Sequence, residues 1–225
     1  MNSDKIQIET IISAPFEENS YVVYFPGRND CLVIDPGLAP QEIIDCLDER
    51  GLQPAAILLT HGHADHIAGN RALKNRWPAC PIVIGRGDAP KLTDARLNLS
   101  AQYGLPLTSP PADAVLDDGD RYSAAGFDFD VYEIPGHSCG HIVFVWRGGE
   151  RVVVFGGDVL FSGSIGRSDF PDGSFEQLAR GIHQKLFSLP DDSIVFSGHG
   201  PPTTIGEEKR TNPFVGRPAG YQGGA

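Results

Sequence analysis

The chain has 225 residues, 40% of them hydrophobic, which suits one large α/β or all-β domain with a core of its own. Its formal net charge is -11 with no block of Lys or Arg, so nucleic acid and an anionic membrane surface are excluded as expected partners. Cys31, Cys46, Cys80 and Cys139 form no C-x-x-C pair, the start Met1 to Ile6 lacks the apolar stretch of a leader, and no run approaches the roughly 20 apolar residues of a membrane span; a reducing cytoplasm is the expected location.

Short β-branched and aromatic runs at residues 6–12, 21–25 and 31–35, with turns at Pro26-Gly27 and Pro36-Gly37, predict a three-stranded meander. Residues 40–50 have helical spacing through Ile43, Ile44 and Leu47, and the helix stops at Gly51. Residues 55–59 are a buried strand, after which Ile67 to Lys74 reads as a helix with Ala64-Asp65 at its start. A strand at 81–85 precedes a poorly patterned stretch, 87–111, expected to hold a short helix around 89–97 and a lid. Strands then follow at 114–116, 121–122, 127–134, 142–146 and 151–155, a helix at 174–187 with Phe175, Leu178, Ile182 and Leu186 on one stripe, and a last strand at 194–196. Strand-rich and helix-containing stretches thus occur twice, which predicts two packed sheets with helices on the outer faces. Residues 1–215 are expected to be one domain and 216–225 a loose, Gly-rich tail.

The densest chemistry lies in Thr60-His61-Gly62-His63-Ala64-Asp65-His66, where a strand runs into a turn with three imidazoles and a carboxylate. In extended chain His61 and His63 point to one side, whereas Asp65 and His66, at the start of a helix, face a second point nearby. Two adjacent metal ions explain this split better than one, and they need more protein ligands than four. Three other strand ends supply them: Pro135-Gly136-His137, Gly156-Gly157-Asp158 and Ser197-Gly198-His199-Gly200. Singly, each could be an ordinary turn; together they give His61, His63 and His137 to one ion, Asp65, His66 and His199 to the other, and Asp158 to both as a bridge. Of the remaining histidines, His183 reads as structural, and His141 as either support for a ligand or a core residue. Cys139 falls near this site as an oxidisable or merely neutral thiol.

These motifs, in this order over roughly residues 7 to 210, resemble the metallo-β-lactamase fold superfamily, which implies an αββα four-layer sandwich with the site at one edge of two sheets. The segment from Leu160 to Phe170 and the ending Lys209-Arg210-Thr211-Asn212-Pro213-Phe214 look like short bacterial glyoxalase II-like hydrolases. That resemblance implies a dinuclear enzyme, with zinc the leading ion and iron or manganese open, hydrolysing thioesters such as S-lactoylglutathione through a metal-bridging hydroxide that Asp65 orients. Two ions, less Asp65, Asp158 and the hydroxide, leave the centre at about +1, so an anionic small-molecule thioester is the expected substrate. Arg167, Lys209 and Arg210 are candidates for holding its carboxylate, with ion-pair or surface roles as alternatives. The chain departs from full-length glyoxalase II in ending before its C-terminal helical domain. The Lys and Tyr that bind glutathione in that family also have no counterpart between Val159 and Arg167. Alternatives are a persulfide dioxygenase with one iron on His61, His137 and Asp158, a lactonase or β-lactamase, and a non-catalytic metal-binding domain.

Overall fold

The computed structural model describes residues 6–223; Met1 to Lys5, read above for a leader, and residues 224–225 of the tail lie outside the described residues. The predicted meander is β1 (Gln7–Ser13), β2 (Glu18–Tyr24) and β3 (Asp30–Ile34). After α1 (Pro40–Arg50), strands β4 (Gln53–Leu59), β5 (Ile82–Gly85) and β6 (Ala114–Leu116) continue this sheet in parallel, in the order β1-β2-β3-β4-β5-β6. The second sheet contains β7 (Arg121–Ala124), β8 (Phe127–Glu133), β9 (Ile142–Trp146), β10 (Val153–Gly157), β13 (Ile194–Ser197) and β14 (Thr203–Thr204), in the order β14-β13-β10-β9-β8-β7. A small hairpin, β11 (Leu160–Phe161) with β12 (Ser164–Ile165), stands apart from both.

Alternation along the strands builds the layers. Leu32 and Ile34 of β3 and Ala56 and Leu58 of β4 face Phe127, Phe129, Phe144 and Phe155 of the other sheet, and together they form the central core. The intervening residues, Val33, Ile57 and Leu59, turn outward against Ile43 and Leu47 of α1 and Leu73 of α3 (Asn70–Arg76). On the far side Val143, Val145, Val154 and Val195 meet Leu178 of α4 (Phe175–Gly181), Ile182, Leu186 and Ile205. Helix, sheet, sheet and helix therefore stack in four layers, as expected from the sequence.

Where the predicted elements differ, a local cause is visible. The helix expected through Ala64 to Lys74 breaks into α2 (Ala64–Ile67) and α3, because Gly69 packs against the Pro36–Gly37 turn and donates its N–H to the Pro36 carbonyl at 2.7 Å. The helix expected around 89–97 is a 3₁₀ segment at Arg86–Leu92 containing Pro90, which has no N–H to give. Helix α4 passes into a wider π-type turn at Ile182–Leu186, and Phe175 is exposed rather than on the buried stripe. Residues 194–196 are not the last strand: β14 pairs with β13 and leads into α5 (Ile205–Thr211), where Thr204 caps the helix by accepting the Glu207 N–H at 3.2 Å. The segment from 216, expected to be loose, is held as far as Tyr221, which packs on His183 and Phe187. His183 also bonds the Val215 carbonyl through Nε2 at 2.7 Å, a structural role.

Candidate metal centre

Every candidate ligand sits just beyond the end of a strand. Thr60 to His66 follow β4, His137 follows β8, Asp158 follows β10 and His199 follows β13. These ends meet at one edge of the sandwich. His61, His63 and His137 place one nitrogen each in a common cluster, and Asp65, His66 and His199 form a second cluster beside it. Within the first, His63 Nδ1 and His137 Nε2 are 2.9 Å apart, and His137 Nε2 and His61 Nε2 are 3.3 Å apart. Asp158 reaches both: Oδ2 lies 3.4 Å from His137 Nε2, and Oδ1 lies 3.4 Å from His66 Nε2.

The outward-facing ring nitrogens decide which ones remain free to ligate. His66 Nδ1 faces Asp35 Oδ2 at 3.1 Å, His137 Nδ1 donates to the Arg167 carbonyl at 2.8 Å, and His199 Nδ1 donates to the Phe16 carbonyl at 3.0 Å. His61 Nδ1 meets Thr60 Oγ1 at 3.1 Å. Each contact engages the outer nitrogen and turns Nε2 toward the cluster, the orientation that metal-binding imidazoles require. His66 Nε2 and Asp158 Oδ1 are buried without a hydrogen-bond partner among the described residues, which is costly unless a cation takes them up. The donor set therefore fits two divalent ions.

Electrostatics divide the same residues. Burial pushes His61 and His63 well below the usual imidazole range, and His137 below it, so all three are neutral near pH 7. At His66 burial also opposes charge, but Asp158, Asp65 and Asp35 outweigh it and raise the pKa well above the usual value. His199 is raised in the same way, its contact with Asp65 overcoming burial. Burial would raise Asp65, yet His66 and His199 hold it below the ordinary carboxylate range. His141 is a supporting residue: its Nε2 accepts the Asp158 N–H at 3.0 Å, and its ring stacks on His61 with centroids 4.8 Å apart.

Sequence reasoning missed the groups that hold the ligand turns. Asp35, in left-handed backbone with φ 48°, accepts the Thr60 N–H at 2.7 Å and the Thr60 hydroxyl at 2.6 Å as well as facing His66. Asp88 accepts the Gly62 N–H and the Gly140 N–H, both at 2.8 Å, and so ties the His61–His63 turn to the His137 turn. Buried Lys91 stands beside Asp88 and donates to Ser138 Oγ at 2.5 Å and to Asp172 at 2.6 Å. From β2, Asn19 Nδ2 donates to the carbonyls of Ser197 and Gly200 and Tyr21 donates to that of Ser197, which fixes the His199 turn from the opposite sheet. Cys139 lies against Asp88, and partial desolvation pushes its thiol up to about 11, so it stays protonated.

A cavity of about 730 Å³ opens onto the ligands. Arg167 lines it, paired with Asp169 and stacked over Phe170. Lys209 and Arg210, expected to contact substrate, do not line it; they lie on α5, paired with Asp191 and Glu207. The segment expected to hold a lid borders the cavity, through Asn98, Leu99, Tyr103 and Leu105.

The sequence profile of the metallo-β-lactamase superfamily matches residues 14–199. The chain is 39% identical over 217 residues to hydroxyacylglutathione hydrolase GloC of Haemophilus influenzae, covering 93% of this chain and 98% of that protein. Its fold is similar to the crystal structure of the BLEG-1 B3 metallo-β-lactamase, with TM-score 0.88, 38% identity, and 93% and 99% of the two chains covered. It is also similar to TTHA1623 in a di-iron-bound form, with TM-score 0.80, 35% identity, and 92% and 99% covered. With the fold, the paired ligand clusters and these likenesses in agreement, the chain belongs to the metallo-β-lactamase superfamily of metallo-hydrolases.

Proposed function

We propose that this chain is a thioester hydrolase working with two divalent ions, zinc being the leading choice and iron or manganese compatible with the same imidazole and carboxylate donors. The observation that carries the proposal is Asp158, whose carboxylate stands between the two clusters, Oδ2 lying 3.4 Å from His137 Nε2 and 3.6 Å from His199 Nε2 while Oδ1 lies 3.4 Å from His66 Nε2. His61, His63 and His137 would hold one ion and Asp65, His66 and His199 the other. Such a pair supplies a nucleophile at neutral pH and polarises the carbonyl under attack. The protein's own part is orientation and desolvation. Asp65 is held ionised and borders the cavity, so it can align the attacking oxygen as that oxygen bonds to the acyl carbon. The C–S bond then breaks, and the thiolate leaves with little acid assistance. The name of the Haemophilus influenzae relative supports a thioester substrate. Free thiols at Cys31, Cys46, Cys80 and Cys139 are consistent with a reducing compartment such as the cytoplasm, and among the described residues no helix is long and apolar enough to cross a membrane.

Protein purified without added ions, then assayed by thiol release from a thioester panel, tests this reading. Chelation should abolish release and divalent ions restore it, while Asp158→Ala should cut kcat/KM by about 100-fold or more, the scale on which metal-site losses act. Thiol release indifferent to chelation would remove the proposal. A one-iron persulfide dioxygenase would instead consume oxygen with a thiol persulfide, and it would leave the Asp65, His66 and His199 cluster without a role.

A further inference from the structure

The cavity beside the ligands has walls of unlike chemistry. Phe16, Leu38, Tyr103 and Leu105 line it, and Phe161 and Phe170 bring apolar rings up to the candidate ligands His199 and His63. Phe16 and Tyr103 meet edge to face at 5.9 Å, joining the β1–β2 turn to the segment after β5. Leu105 is 77% exposed and Tyr103 58%, although each presents a large apolar surface. Leu99 is held in left-handed backbone at φ 70°, a strained conformation for a side chain of its size, and it too lines the cavity.

Of the polar side chains on these walls, Asn98, Ser100 and Arg167 are already engaged. Asn98 donates to the carbonyls of Lys91 and Leu107, while its Oδ1 accepts the Ser100 N–H and hydroxyl. Arg167, the one cationic side chain of the lining apart from the histidines, gives Nε and Nη2 to the two oxygens of Asp169, both at 3.0 Å. A glutathione arm would bring two carboxylates and an ammonium to such walls, inside a chain of net charge -11. An ionised carboxylate there meets one cation, Arg167, and would have to share it with Asp169. A cavity of about 730 Å³ is ample for a drug-sized apolar group.

Resting on the thioester-hydrolase reading above, we propose that the substrate is a thioester whose non-reacting arms are uncharged and apolar, and that glutathione is not its thiol. The walls select by burying hydrocarbon, and the ligand end alone meets polar atoms.

Four thioesters test this: acetyl and hexanoyl groups, each on glutathione and on N-acetylcysteamine. Hexanoyl-N-acetylcysteamine should exceed acetyl-glutathione at least tenfold in kcat/KM, and acetyl-glutathione equal or better would overturn the proposal. Leu105→Lys should shrink that ratio, and an unchanged ratio would count against the wall's role in selection. Should the metal-loaded protein cleave none of the four, the hydrolase reading fails, and calorimetry with non-hydrolysable thioethers decides the cavity's preference separately. There the S-hexyl ether of N-acetylcysteamine should bind at least tenfold tighter than S-methylglutathione, and the reverse order would sink the inference.

Discussion

His61, His63 and His137 are kept neutral by burial, whereas His66 and His199 carry raised pKa values through Asp158, Asp65 and Asp35. An imidazole must be deprotonated to ligate, so ions entering the second cluster displace protons that ions entering the first do not. The sign follows: apparent affinity falls as pH drops through the raised pKa values of His66 and His199, and recovers as pH rises. Calorimetric titration of metal into the metal-free protein, in buffers of different ionisation enthalpy, should show proton release with the second ion. Uptake without proton release at every pH would contradict this assignment. At this scale the clustering of the candidate ligands was legible in the sequence, because imidazoles crowd into glycine-rich turns where packing gives them no reason to be. Asp35 and Asp88 were not legible, since an aspartate in a turn is ordinary until the fold shows what its oxygens accept.

Asp88 belongs to the 3₁₀ segment after β5, yet it bonds turns that follow β4 and β8. It is fully buried, as are its partner Ser138 and nearly all of Lys91. Asp88→Ala would leave the Lys91 charge less well compensated and free two backbone N–H groups, at a cost of about 3–5 kcal/mol as for other broken buried pairs. Urea unfolding should register that loss, and metal affinity should fall with it because two ligand turns are released together. A change under 1 kcal/mol would mean that the clamp is redundant. Strand positions were mostly legible from β-branched runs, and α1 from its spacing and Gly51. The break between α2 and α3 was not, since Gly69 keeps helical dihedrals but gives its N–H to a carbonyl more than thirty positions away. Helix α5 had a signal that went unread: Thr204-Ile205-Gly206-Glu207 has the Thr and Glu spacing of a capping box.

Three apolar layers hold the sandwich, and the central one is built around aromatic rings. Phe129 is fully buried there, against Phe127, Phe144 and Phe155. Phe129→Ala should destabilise the protein by about 3–5 kcal/mol, the usual range for deleting a buried ring. Its specific activity per folded molecule should be retained, because the cavity lies at the sheet edge. Equal losses in activity and stability would show that the centre is sensitive to the core. The four-layer architecture was legible because α-type and β-type periodicities alternate twice along the chain. The meeting of both halves at one edge was legible only through the ligands themselves, which make sense when brought together.

Gly85, Gly87 and Gly140 let two stretches of main chain touch directly: a side chain on Gly140 would overlap the backbone of Gly87 and Asp88, and one on Gly85 would overlap the carbonyl of Gly140. Gly140 lies between His137 and His141, so a single added methyl at this seam would wedge the sheets apart beside the candidate metal centre. Tolerance to sequence drift should therefore be lowest where the protein has no side chains at all.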